Sequence, residues 1–277
     1  MKTTLLFLSV FLSASLFGQI NGTGVTDIDG NFYESVIIGN QEWLSTNLNT
    51  SRFSDGTSIQ YIESDEDWQS ITTPAWASYN NDENNQLVYG KLYNWFTVDY
   101  DQNICPTNWK VPSNNDWLIL KSYVMNNGYE GAEAFGLLAT TGWGDGFTGD
   151  NNFGFSALPG GARSNFGWFE YIGEIAHWWS STPFDDPFDD QAYFQLIVSA
   201  PSLGQGMPEG NAYPRNYGMS IRCIKDESNN LIELPNTSKM LFKILDMMGR
   251  ETSFKPNTPL IYVYDDGSIE KVFSVEY

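Results

Sequence analysis

The stretch Ser113-Asn-Asn-Asp116-Trp117-Leu-Ile-Leu120, continued by Lys121-Ser-Tyr123-Val124, decides the fold class. Ser113 stands where an N-cap would, and Asp116 follows three residues on, the spacing of a capping box. Trp117, Leu120, Tyr123 and Val124 recur at three- and four-residue steps, so one face is apolar. The pattern predicts a helix to about Asn126, stopped by Gly128.

Upstream, residues 25–48 (VTDIDGNFYESVIIGNQEWLSTNL) change period. Asp29-Gly30-Asn31 and Gly39-Asn40 each sit between alternating apolar runs, as hairpin turns do, so two or three early strands are expected. Helices are also predicted over Tyr89 to Val98, with Leu92, Tyr93 and Phe96 on one face, and more weakly over Gly131 to Ala139. Beyond Thr140 the chain turns rich in Gly, Asn, Asp and aromatic residues for some sixty positions. Loops that long are uncommon unless they work or bind something. Tyr217 to Ile224 alternates as a closing strand. Few helices, short strands and long loops predict an α+β domain whose loops carry the function.

Composition narrows the classes. The 277 residues hold 34 Asp plus Glu against 14 Lys plus Arg, a formal charge of -20 that disfavours nucleic acid and anionic membranes. Aromatic residues at 16% supply a core that disordered acidic chains lack. A single His excludes most zinc and facial-triad sites.

The ends differ from the middle. Residues 1–18 carry Lys2 and an apolar run from Leu5 to Phe17, the pattern of a signal peptide, with a buried N-terminal helix as the alternative. That run falls short of the roughly 20 residues a membrane span needs, and no later segment reaches it, so no transmembrane segment is expected in the mature chain. From residue 237 onward there are five basic and six acidic residues and no Trp, so the acidic excess lies upstream. Residues 227–238 read as a linker, and residues 239–277 as a small all-β tail with Asp266-Gly267 as its hairpin turn.

The tail, with Asp246, Gly249, Arg250 and Glu251 followed by Pro259, Leu260, Tyr262, Tyr264, Asp265, Asp266 and Gly267, resembles C-terminal sorting domains of the type IX secretion system of Bacteroidetes. The resemblance implies a passage signal read by that machinery and a secreted or outer-membrane-surface location. It lacks the L-x-x-G-x-Y segment of the commonest pattern. The alternative is an accessory β domain.

Six blocks occur in order between residues 24 and 226: DIDGNFYESVIIGNQEWLSTNL (27–48), YGKLYNWFTV (89–98), CPTNWKVPSNNDWLIL (105–120), GFSALPGGARSNFGWF (154–169), HWWSSTP (177–183) and YGMSIRCIKD (217–226). Together they resemble the Fibrobacter succinogenes major paralogous domain family. The resemblance implies a fold similar to the group of C-type lectins and the formylglycine-generating enzyme, with short strands, two or three helices and long loops. It implies no assigned activity. At Lys110 the family commonly has His, so a metal role there would not carry over.

Candidate residues follow. Cys105 and Cys223 are the two thiols, each inside a family block, and export makes a disulfide the plain reading. An enzyme of the formylglycine-generating group would need further active cysteines, which favours a noncatalytic module. His177, with Ser180 and Ser181 nearby, could act as a base but lacks a nucleophile elbow. Asp185, Asp186, Asp189 and Asp190, or Asp145 and Asp150 with Asn151 and Asn152, offer hard oxygens for calcium as a cofactor; solvated loops are the alternative. Trp143, Trp168, Trp178 and Trp179 suit either a core or an aromatic platform for sugar rings. Arg163 and Arg222 are expected to pair with carboxylates or, as the lesser option, to meet a ligand. These readings converge on a secreted surface module binding extracellular polymers such as glycans through residues 140–209, with a purely structural domain and an extracellular enzyme as alternatives.

Overall fold

Ser113 caps its helix. In the computed structural model its Oγ accepts from the backbone N of Asp116 at 3.2 Å, and its own N donates to the Asp116 carboxylate at 2.8 Å. The helix spans Asn114–Val124 and buries Trp117, Leu120 and Val124. These pack on Val36, Trp43, Phe155 and Trp178, with the Trp43 and Trp117 rings 4.7 Å apart. Burying a side chain such as Leu120 is worth about 1.5–3 kcal/mol; removing the cap would cost about 1 kcal/mol.

The structure describes residues 19–144, 148–184, 191–198, 212–227, 241–253, 255–264 and 269–272. The signal-peptide candidate, most of the linker candidate and the Asp266-Gly267 turn lie outside these residues. Cα proximity divides the chain into two units, Met1–Asp226 and Glu227–Tyr277.

In the first unit both early hairpins form: Val25–Thr26 pairs with Phe32–Tyr33, and Ser35–Ile38 with Gln41–Leu44. The second hairpin enters a five-stranded sheet in the order Ile20–Asn21, Ser35–Ile38, Gln41–Leu44, Ile224–Lys225, Trp109–Lys110. Sequence-distant strands therefore lie side by side, and the Cys105–Cys223 disulfide closes a separation of 118 residues beside the Ile224 to Lys110 pairing. Closing a loop of that size is worth about 4–5 kcal/mol in the chain-entropy model. Lys110 stands 3.7 Å from the Asp116 carboxylate that also serves the cap.

Three expectations change. The helix predicted over Tyr89 to Val98 is two helices, Glu83–Tyr89 and Trp95–Val98, with the strand Leu92–Tyr93 between them. Asp82 caps the first, Gly90 at φ 77° ends it, and the Asn94 side chain accepts from Thr97 N to start the second. Five α-helices stand among the described residues, more than the two or three expected. Much of the supposed long loop after Thr140 is a second five-stranded sheet, ordered Phe169–Ile172, Gly160–Arg163, Ile175–Pro183, Gln191–Val198, Ala212–Pro214. Left-handed residues, among them Asn151, Ser156 and Tyr171, turn the chain in and between these segments.

The supposed closing strand is regular only at Ile224–Lys225. Before it, Gly218 bridges to Arg163, Met219 to Tyr93 and Ser220 to Trp178, so this segment laces separate parts of the unit together. The mixture of helices with several small sheets makes the unit α+β.

The second unit holds the three-stranded antiparallel sheet Leu241–Leu245, Leu260–Tyr264, Ile269–Val272. Between its first two strands the Asp246 carboxylate accepts from the N of Met248 and of Arg250 and pairs with Arg250 Nε at 2.9 Å. No helix among the described residues is long and apolar enough to cross a membrane.

Candidate functional site

Gly160–Arg163 and Phe169–Ile172 form an antiparallel hairpin in which Arg163 faces Phe169 and Ala162 faces Glu170. Its turn is closed by Ser164 N donating to Trp168 O at 2.7 Å, with Ser164 Oγ accepting from Trp168 N at 3.1 Å. Gly167 lies at φ 95°, and a Cβ there would come within 2.6 Å of the Asp65 backbone. Only glycine suits both the conformation and the approach.

Arg163 pins this turn from inside. The fully buried guanidinium donates to the carbonyls of Gly167 (2.8 Å), Ile62 (2.6 Å) and Glu63 (2.9 Å) and to the Asp65 carboxylate (3.0 Å). It lies between the Trp68 and Phe169 rings at 4.6 and 4.8 Å. Burial pushes its pKa down while Asp65 works against that shift. These donors are spent on the chain itself, which makes Arg163 a positioning residue.

The pinned turn presents two aromatic side chains to solvent. Trp168 is 62% exposed, Phe166 is 51% exposed, and their ring centroids lie 5.6 Å apart. Trp168 is the one exposed tryptophan; eight others are buried and Trp76 is half-buried. On the same hairpin Tyr171 is exposed in a left-handed backbone conformation (φ 64°). Glu170 accepts from the Tyr217 hydroxyl at 3.4 Å, and Tyr217 stacks on Tyr213 at 4.5 Å. Burial, with Glu170 and neighbouring tyrosines, pushes the Tyr217 hydroxyl well above its ordinary range.

The other candidates separate from this face. Trp143, Trp178 and Trp179 are core residues whose indole N–H groups donate to Ala157 O (3.0 Å), Asn47 Oδ1 (2.8 Å) and Tyr93 O (2.7 Å). Neither Trp143 nor Trp178 presents a ring face to solvent, so neither can serve as a platform in this fold. Arg222 is fully buried between Phe155 and Trp178 and has no carboxylate partner among the described residues. Its donors go to Asn47 Oδ1 (3.1 Å from Nε, 2.7 Å from Nη2) and the Phe155 carbonyl. This corrects the expected ion pair: a buried amide and a carbonyl take the carboxylate's place.

His177 is buried, and that burial pushes its pKa down to about 4 despite a backbone hydrogen bond with Gly161 that works the other way. The ring is therefore neutral at pH 7. Ser180 is buried, its Oγ accepting from Thr182 N at 3.1 Å.

Asp145, Asp185, Asp186, Asp189 and Asp190 lie outside the described residues. Asp150 accepts from the Tyr129 hydroxyl and from Asn152 N. Asn151 is engaged with Ser156. Among the described residues no group of three or more His, Cys, Asp or Glu is placed to hold a metal.

Of the exposed aromatic residues on this hairpin, Trp168 was among the sequence candidates, and Phe166 and Tyr171 were not. The available signal was the Ser164-Asn165-Phe166-Gly167-Trp168 string, in which a Gly turn is flanked by aromatics. No curated protein and no solved structure matches the chain. A family model matches residues 36–225, more than half of the chain, so the protein belongs to the Fibrobacter succinogenes major domain family.

Proposed function

We propose that this protein is an exported, noncatalytic surface module that binds extracellular glycans, with the turn at residues 164–168 as its contact tip. The observation that carries the reading is Trp168, the exposed exception among buried tryptophans, held beside Phe166 on a turn fixed from within by Arg163. A rigid, exposed aromatic ring offers an apolar face at small entropic cost on binding, which suits the C–H face of a pyranose. The acidic balance of the chain favours neutral over acidic polymers.

The finer assignments belong to the same proposal. The lectin-like arrangement is supported by the pairing of Gln41–Leu44 with Ile224–Lys225, between which the chain makes its long excursion through the second sheet. Export through the type IX machinery is supported by the sorting-domain wording of the tail and by its small three-stranded sheet. Transfer of residues 239–277 to an inert periplasmic reporter should route it to the surface of a host with that machinery; retention in the periplasm would overturn this assignment.

The binding test is retention of the full chain on insoluble polysaccharides, with and without EDTA. The F166A/W168A double variant should keep the wild-type unfolding midpoint and lose retention. Undiminished retention of that folded variant would overturn the tip. Loss of wild-type retention in EDTA would instead indicate a metal-mediated mode.

A further inference from the structure

One cleft has no residue of the Trp168 hairpin in its lining. The early hairpin and the helix Glu83–Tyr89 flank this open cleft of about 230 Å³. Although the chain carries 34 acidic and 14 basic residues, the lining contains no charged side chain. Asn31, Asn47, Asn49 and Gln86 are among its lining residues. Its rim is apolar and unusually open: Phe32 is 64% exposed, Leu87 79% and Val88 57%. The helix bearing Leu87 and Val88 buries none of its own residues, so core packing does not account for their presence.

The cleft is built rather than incidental. Gly90, at φ 77°, ends the helix so close to the chain that a Cβ would stand 2.8 Å from Leu48 O. Asn47 Nδ2 donates to Tyr89 O at 2.8 Å, tying the helix end to this lining residue. Opposite, the Phe32 ring lies over Gly24, where a Cβ would approach it to 2.7 Å. Lys91, half over the Trp76 ring at 4.4 Å, donates to Asn49 O and to Asn49 Oδ1 at 3.2 Å. That contact fixes the Asn49 amide by its oxygen.

What the amides leave over defines the ligand. Asn49 Nδ2, Gln86 Nε2 and Asn31 Oδ1 make no hydrogen bond to any described residue, whereas Asn49 Oδ1, Gln86 Oε1 and Asn31 Nδ2 are taken by Lys91, Ser78 and Asp27. Two donors and an acceptor are therefore left over on residues that line a space without charged side chains, beside one aromatic and two aliphatic residues. Hydroxyl groups that both donate and accept, on a ring with apolar C–H faces, match that set; a charged ligand would meet no charged side chain in the lining. Pockets for drug-sized ligands run to roughly 300–1,000 Å³, so the smaller volume fits one sugar residue.

We infer that this cleft is a neutral-saccharide subsite holding a single sugar residue, with Phe32 as stacking ring and Asn31, Asn49 and Gln86 as hydroxyl partners. It is independent of the Trp168 tip, and together the two would make the module bivalent.

The test is a heteronuclear NMR titration of the full chain with cellotetraose, xylotetraose and mannotetraose, and with trigalacturonate as the acidic comparison. At least one neutral tetraose should shift the Phe32 backbone and the Asn49 and Gln86 side-chain amides saturably, and trigalacturonate should not. Q86A alone should weaken that binding several-fold and F32A/Q86A at least tenfold. The subsite is overturned if no neutral tetraose moves these signals, if trigalacturonate moves them equally, or if Q86A binds as tightly as wild type. A response confined to the Trp168 indole would overturn the subsite and leave the tip standing; a response confined to the cleft would do the reverse.

Discussion

Arg163 and Arg222 are both fully buried and both lie between two aromatic rings, yet they serve different parts of the molecule. Arg163 reaches outward to three main-chain carbonyls and to a half-exposed carboxylate, Asp65, and so shapes a surface turn. Arg222 reaches inward to Asn47 and Phe155, where Asn47 also takes the Trp178 indole and donates to Ser220 Oγ at 3.2 Å. Near the surface, water can replace a lost partner; around Arg222 it cannot, so each broken hydrogen bond there carries its full desolvation cost. The same residue type thus positions a binding surface in one place and knots the core in the other.

The sharpest way to break that distinction is to truncate both. R222A should destabilise the protein by about 3–5 kcal/mol, because it opens a cavity and strips donors from the Asn47 and Phe155 oxygens; urea unfolding would measure it. R222K should recover little, since a point charge cannot span both acceptors.

Acid should weaken the Arg222 side of the molecule next. His177 adjoins Trp178 and is neutral when folded because burial lowers its pKa from 6.5 to about 4. Below pH 6.5 the unfolded chain takes up a proton that the folded chain refuses, so the stability contributed by this histidine falls between about pH 6.5 and 4, where its own effect is complete. The whole loss is roughly 3 kcal/mol. Unfolding midpoints across that range should show the slope in wild type and lose it in H177Q.

A smaller effect, about 2 kcal/mol, is expected for R163A, because water can reach much of what it frees. Its signature is local: hydrogen exchange at Gly167 and Trp168 should accelerate, and glycan retention should fall with the tip's order. A cost equal to that of R222A would collapse the comparison. Least of all, W168A should change stability by no more than about 0.5 kcal/mol while reducing retention, since a ring exposed to this degree contributes surface rather than core.

Much of the local structure was legible. The Ser113 cap, the three- and four-residue steps of Trp117, Leu120 and Val124, and the turns at Asp29-Gly30-Asn31 and Gly39-Asn40 are interactions between near neighbours, and each forms as read. The break inside residues 89–98 was readable in principle from Gly90 and Asn94, but an apolar period spanned both and concealed it. The second sheet was not readable. Gly160-Gly161-Ala162-Arg163 has almost no intrinsic strand preference, and it becomes a strand because Phe169–Ile172 and Ile175–Pro183 supply partners on either side.

The candidate site divides along the same line. That tryptophans, arginines and one His would matter followed from composition and order. Which tryptophan meets solvent did not: Trp168 and Trp178 both flank short polar segments, and only the way their strands pack sends one outward and the other against Asn47 and Arg222. The Phe32 cleft left still less trace, since its lining joins residues 31, 47, 49 and 86 and its rim depends on where Gly90 ends a helix. Sequence alone determined the caps, the turns, the acidic balance and the family, because these depend on neighbouring residues and their order. Exposure, the partners of the two buried arginines and the grouping of residues 31, 47, 49 and 86 around one cleft were decided by tertiary structure, because they depend on long-range packing that brings distant segments against one another.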